Sequence, residues 1–203
     1  RRRAGAGRAE GGCGPGARAR RGADGALAGA AASGQARAMV ETVEIRRATP
    51  RDAGVVTRLL TVCYGRLYRG WYPDETLRAA LPEMARAQRA LLRSGRYRIA
   101  WRGGEPAACG GWSARVEPDR LLRTGHVRHF GAHPDHLRRG AAGAILSDCL
   151  AEAEAAGMAR MRCVSSLPAE PFYAAFGFRT LGFELAPGPG GTRFGVAVME
   201  RAF

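Results

Sequence analysis

The stretch Phe130–Leu146, F-G-A-H-P-D-H-L-R-R-G-A-A-G-A-I-L, constrains this chain more than any other. A strand-like segment precedes it, and a turn of small residues leads straight into an amphipathic helix. The helical stripe is Ala142, Ile145, Leu146, Cys149, Ala153 and Ala156, at spacings of three and four. Gly157 is placed to stop the helix. The first turn of a helix leaves backbone N–H groups without intrahelical partners, and these suit an anionic ligand. Small turn residues let phosphates approach the backbone. On spacing alone, a phosphate cradle and an ordinary strand–turn–helix connection with Gly140 at the bend both remain open.

The 203 residues suffice for one domain with a substantial core. All 32 basic residues are arginine, and the formal net charge is +14. That charge suits nucleic acid, anionic cofactors or acidic protein surfaces without choosing among them. The five cysteines, Cys13, Cys63, Cys109, Cys149 and Cys163, never form a C-x-x-C pair. They argue against a disulfide framework or a cysteine zinc site and for a reducing, cytoplasmic setting. No run of about eighteen apolar residues marks a membrane span. Residues 1–38 hold eight arginines against Glu10 and Asp24, a net of +6, with no periodic apolar face. They read as a disordered Arg/Ala/Gly-rich extension, and Met39 as the natural start.

Val43 to Arg47 alternates as a strand. Thr49-Pro50-Arg51-Asp52 reads as a helix start running to about Cys63, with Val55, Val56, Leu59, Leu60 and Cys63 inward. Tyr64 to Pro73 is an aromatic-anchored loop. Asp74 to Leu92 is helical, with an interruption predicted at Pro82. Tyr97–Trp101 and Ala107–Trp112 form a hairpin turning at Gly103-Gly104-Glu105. Thr124–Ala132 and Arg160–Ser165 are a parallel pair joined by the central helix. Leu181–Leu185 and Arg193–Glu200 make a last hairpin around Pro187–Gly191.

Two motifs carry a family resemblance. His133-Pro134, followed by Leu137-Arg138-Arg139-Gly140-Ala141-Ala142, resembles the acetyl-CoA loop of the GNAT superfamily of N-acetyltransferases. Leu137 departs from the Arg or Gln usual there, and Arg138 or Arg139 supplies charge nearby. Phe172-Tyr173-Ala174-Ala175-Phe176-Gly177-Phe178 resembles the family's Phe-Tyr-x-x-x-Gly-Phe segment. The resemblance covers nearly all of Val43 to Arg201. It implies a mixed α/β fold (α+β), with a central mixed sheet of six to seven strands flanked by about four helices, over residues 39–203. It implies transfer of an acetyl group from acetyl-CoA to a primary amine.

The same resemblance assigns roles. Tyr173 is the candidate donor of a proton to the departing thiolate. Main-chain N–H groups at Gly131 and Ala132 would polarise the thioester carbonyl. Leu137, Arg138, Arg139, Gly140, Ala141 and Ala142 would cradle the pyrophosphate, and Ser165 would meet the pantetheine, with Ser166 as its alternative. Tyr68, Trp71 and Tyr72 would shape the acceptor pocket.

The general base is less specified. His129 has a suitable intrinsic pKa and precedes the loop, so it is the catalytic choice over His133, Glu44, Glu105 and Glu117. All four histidines, at 126, 129, 133 and 136, lie together but fit no zinc motif, so no metal is expected. The expected partner is a small-molecule or peptide amine, without a membrane; assembly as a homodimer stays open. A basic nucleic-acid binder and a non-catalytic acyl-CoA sensor are the competing readings. Arg123, Arg128, Arg138 and Arg139 lack any established nucleic-acid motif around them.

Overall fold

The structure, a computed structural model, describes residues 42–115 and 123–203. The readings of residues 1–38, of Met39 and of Glu117 lie outside the described residues.

Among the described residues, seven strands form one mixed sheet in the order β1-β2-β3-β4-β5-β7-β6. They are β1 Val43–Arg47, β2 Tyr97–Arg102, β3 Glu105–Arg115, β4 Thr124–Ala132, β5 Arg160–Ser166, β6 Arg179–Pro187 and β7 Arg193–Ala202. The described residues also form five α-helices: α1 Ala53–Leu67, α2 Asp74–Met84, α3 Arg89–Arg93, α4 Ala141–Ala155 and α5 Glu170–Ala174. Only β4 and β5 run parallel, because a crossover through α4 joins them. The mixed α/β class and its strand count match the expectation.

The first helix is entered at Thr49-Pro50 as expected, but through a short 3-10 turn at Pro50–Asp52. It runs to Leu67, past the expected end near Cys63 and into the segment read as a loop, because Tyr64 extends its buried face. Asp52 accepts from the Thr49 N–H at 2.7 Å and the Thr49 hydroxyl at 2.9 Å, and pairs with Arg46 at 2.7 Å. The Arg46 guanidinium holds the Asp52 carboxyl far below the ordinary carboxylate range. Pro82 does not interrupt α2. It sits in the last turn, and the helix ends after Met84, with α3 beginning at Arg89. The β2–β3 turn is tighter than expected: Gly103 and Gly104 both have positive φ, and Glu105 already belongs to β3.

Helices cover both faces of the sheet. On the α1 face, Leu59, Leu60 and Cys63 pack on Tyr97, Ile99 and Cys109. On the α4 face, Ile145, Leu146 and Cys149 pack on Trp112, Met161 and Met199. Burying each large aliphatic side chain contributes roughly 1.5–3 kcal/mol. Glu152 on α4 accepts from Trp112 Nε1 at 2.9 Å and pairs with Arg98 at 3.0 Å, pinning the helix to β3 and β2. Among the described residues, no helix is long and apolar enough to cross a membrane.

Candidate active site

The sheet opens between its parallel strands. β4 and β5 are in register only at Thr124/Arg160, Gly125/Met161 and His126/Arg162, although β4 runs on to Ala132 and β5 to Ser166. The register of β3 with β4 shows why. It passes from Gly111/Arg128 to Cys109/Gly131, so His129 and Phe130 together face Gly110. This is a β-bulge, which bends its strand and re-aims side chains. His129 sits in the left-handed region, at φ 50. The Phe130 ring lies over Gly110, where a Cβ would come within 2.5 Å of it. Tyr97 and Tyr64 donate to the carbonyls of His129 and Phe130, at 2.7 Å and 3.3 Å.

Three phenols converge on this gap. Tyr173 reaches it from α5, with its hydroxyl on the Cys163 thiol. Tyr68 reaches it from the C-cap of α1, with its hydroxyl on Ser166. Tyr64 lies beside Tyr68, with ring centroids 4.9 Å apart. Burial pushes the Tyr173 phenol well above its ordinary range, and the neighbouring thiol and phenols push it further. The group therefore stays protonated across neutral pH. Its ring packs edge-on against Phe130, Phe172 and Phe178. Burial likewise raises the Cys163 thiol to about 12 and leaves it uncharged.

The loop after β4 has the cradle form. Arg138 (φ 61) and Gly140 (φ 83) both take left-handed backbone, and Gly140 caps α4. The first intrahelical bond runs from Ala144 N–H to Gly140 carbonyl at 2.9 Å, so the N–H groups of Ala141, Ala142 and Gly143 precede the ladder. A Cβ at Gly140 would meet nothing within 4 Å among the described residues. The glycine answers to its φ, and the space over it is open. Arg102 donates to the Arg139 carbonyl at 2.7 Å and braces the loop. Leu137 is 39% exposed. Gly143 has a packing reason, since its Cβ would stand 2.9 Å from the Phe176 ring.

The other expected site residues divide. Gly131 and Ala132 stand opposite Cys109 and Ala108 of β3, and a Cβ at Gly131 would come within 2.7 Å of Leu60 on α1. Ser165 is buried and donates to the Ser166 carbonyl at 2.8 Å, whereas Ser166 meets Tyr68. Tyr72 is a clamp: it donates to the Gly195 carbonyl at 2.8 Å and accepts from the Leu167 N–H at 2.9 Å. Trp71 is 56% exposed. His129 Nε2 lies 3.2 Å from Gln88 Nε2, and its buried Nδ1 has no hydrogen-bond partner among the described residues. Burial lowers its pKa, and Arg128 lowers it further. His133 and His136 turn instead to a separate pocket of about 330 Å³ beside Arg58 and Glu105. Among the described residues, no three metal-ligating side chains come together.

Sequence reasoning set Tyr64 in an aromatic-anchored loop, whereas it lies in α1, and missed Cys163 and the bulge. Tyr64 had a signal, since Tyr64, Tyr68 and Trp71 fall on helical spacings. The bulge had none, because it depends on how β3 and β4 count against each other.

A sequence model of the Acetyltransferase (GNAT) family matches residues 57–178, which span the gap, the loop and Tyr173. No curated protein sequence matches. Among solved structures, a GCN5-related N-acetyltransferase from Rhodopseudomonas palustris is similar at TM-score 0.66 and 21% identity, over 80% of this chain and 96% of that one. The PaiA N-acetyltransferase of Thermoplasma acidophilum, solved with coenzyme A, is similar at 0.57 and 13%, over 80% and 99%. A polyamine N-acetyltransferase of Drosophila melanogaster is similar at 0.58 and 15%, over 80% and 100%. At these identities the structures show the shared fold, and the family follows from the sequence match. The chain belongs to the acetyltransferase (GNAT) family, whose chemistry is transfer of an acetyl group from coenzyme A to an amine.

Proposed function

We propose that this protein is an acetyl-CoA-dependent N-acetyltransferase acting on a primary amine, with transfer in the gap between β4 and β5. One observation carries the reading. The gap lies between an open helix N-terminus and a buried, protonated phenol, both on elements that the family motifs identify. Residues 39–203 form the catalytic unit in this reading. The buried free thiols of Cys63, Cys109, Cys149 and Cys163 favour a reducing, cytoplasmic setting.

The roles follow from position. Backbone N–H groups from Arg138 to Gly143 receive the pyrophosphate, helped by the partial positive charge of the α4 N-terminus. Arg138 and Arg139 add charge, and Leu137 offers an apolar contact. The bulge backbone at His129 and Phe130, with Gly131 and Ala132 beyond it, lies along the edge where the thioester carbonyl needs a donor. Tyr173 gives its proton to the sulfur as the C–S bond breaks. His129, neutral at pH 7, accepts the proton released by the amine, directly or through water. Tyr68 and Trp71 border the acceptor side, and Tyr72 holds that border in place.

The test is isothermal calorimetry with acetyl-CoA, followed by mass spectrometry of acetylated products over a broad panel of amines. Selective acetyl-CoA binding with stoichiometric amine acetylation supports the reading. Thiol release without acetylated product is hydrolysis only. A protein that ignores acetyl-CoA overturns it.

A further inference from the structure

We propose that Arg128 and Arg162 select an acceptor amine that carries a carboxylate. This rests on the reading of the β4–β5 gap as the transfer site and names the substrate class for it. The last pair before the gap is His126/Arg162. Arg128 stands two residues further along β4, about 7 Å at the usual strand rise. Both arginines belong to the α1 face. Arg128 faces Gly111, on the side of Tyr97, and Arg162 faces Glu200 on β7.

The charge on that face is one-sided. Register places Arg128, Arg160, Arg162 and Arg179 there, with Glu200 as the nearest acid. The single Glu200 carboxylate is already shared: it accepts from Arg162 Nε at 3.0 Å and lies 3.3 Å from an Arg160 terminal nitrogen. Glu184 is also on this face, but it pairs with Val196, four residues along β7 from Glu200. Among the described residues, neither Arg128 nor Arg179 has a carboxylate within ion-pair distance.

The two guanidinium groups are held in the same way. Arg128 donates its Nε to Ser113 Oγ at 3.1 Å, and Arg162 donates its Nε to Glu200. Each is anchored by its inner nitrogen, and its two terminal nitrogens make no further hydrogen bond among the described residues. That edge is the fork that takes a carboxylate bidentately. The Arg162 side chain is 37% exposed, and Val164 next along the same face is 62% exposed, so the edge is reachable beside the gap.

The same field assists the chemistry. A positive face favours the neutral form of an incoming amine, which is the nucleophile. Arg128 already acts in this sense on the His129 imidazole. A polyamine meets four arginines here, with the nearest acid, Glu200, already shared between two of them, and is repelled. The fold shared with a polyamine N-acetyltransferase therefore comes with an acceptor face of opposite preference.

The experiment compares acceptors in matched pairs at saturating acetyl-CoA. Free glutamate is set against glutaminamide, which has no carboxylate, a C-terminally amidated Glu-initiated peptide against its Gln-initiated twin, and agmatine serves as the cation. The carboxylate member is expected to have the higher kcat/KM by about tenfold or more, the factor one charge-assisted hydrogen bond confers. Added salt should shrink the ratio. R128Q and R162Q should each collapse it through KM, while the acetyl-CoA dissociation constant stays within about twofold, since neither side chain borders the loop. Preference for free glutamate assigns a small metabolite, and preference for the peptide assigns a polypeptide N-terminus. Equal use of both members, preference for agmatine, or a ratio unmoved in both variants overturns the proposal. Acetyl-CoA binding without transfer to any of these acceptors overturns the carboxylate class alone. No acetyl-CoA binding by the wild type overturns the underlying reading.

Discussion

The Tyr97 hydroxyl donates to the His129 carbonyl at 2.7 Å, from a ring that is almost wholly buried. The bond holds one carbonyl of a bulge whose residue takes left-handed backbone without being glycine. Y97F keeps the ring and leaves that carbonyl without its partner. A loss of about 1–3 kcal/mol is expected, the cost of an unsatisfied buried acceptor. Urea unfolding of the two proteins measures it. Acetyl-CoA affinity should change little, because the loop is braced separately by Arg102. Equal unfolding midpoints would show that the bulge does not depend on this bond.

Gly140 is expected to govern acetyl-CoA affinity. G140V must hold a β-branched residue at φ 83, a strain of about 1–3 kcal/mol, at the position that aims the first N–H groups of α4. Calorimetry should show acetyl-CoA binding weakened by about tenfold or more. Near-identical affinities would move the pyrophosphate away from this loop.

Y173F separates packing from proton donation. The ring contacts with Phe130, Phe172 and Phe178 persist, while the hydroxyl on Cys163 is lost. Acetyl-CoA binding should stay near wild type. The single-turnover transfer rate should fall by roughly 10²–10⁴-fold, the usual worth of a positioned acid. Because the phenol is pushed well above its ordinary range, the wild-type rate should show no Tyr173 titration between pH 6 and 9. Rapid-quench measurement is the readout, since slow product release would mask the step in kcat. Unchanged single-turnover chemistry in Y173F would return the proton to water.

The Arg46–Asp52 pair sets part of the acid limit of stability. Asp52 has a folded pKa far below its unfolded value of about 3.9. The pair therefore contributes fully above that unfolded value and is lost as pH falls through the folded one. Asp52 is largely buried, and roughly 2 kcal/mol is expected from charge-assisted hydrogen bonds of this kind. D52N should be less stable than wild type by about that amount at pH 7. The difference should shrink below pH 4. Thermal unfolding across pH 2 to 7 checks this, and a difference independent of pH would assign the loss to capping geometry alone.

Much of the molecule is legible in the amino-acid sequence. The bounds of β1 and β4 follow from alternation and turn chemistry, because a half-buried strand repeats every two residues. The α4 face follows from spacings of three and four, and Gly140 and Gly157 stand where positive φ is needed. Local rules sufficed there because each feature depends on a few neighbouring residues. Pro82 was misjudged because a helix tolerates proline near an end, where the buried Leu77 and Ala80 already hold the preceding turns.

The site belongs to the other class. Tyr64 and Phe130 meet across 66 positions and Tyr72 and Gly195 across 123, so no window of sequence contains either contact. Whether Tyr72 shapes a pocket or clamps a strand depends on which carbonyl its hydroxyl reaches. The gap depends on a one-residue mismatch between β3 and β4. The amino-acid sequence determined which residues can cap, turn, alternate and bury, and thereby the order of the elements. Only tertiary packing decided which side chains share the gap and which face carries the arginines. Strand register and the side of the sheet are set by long-range burial, which local propensity does not encode.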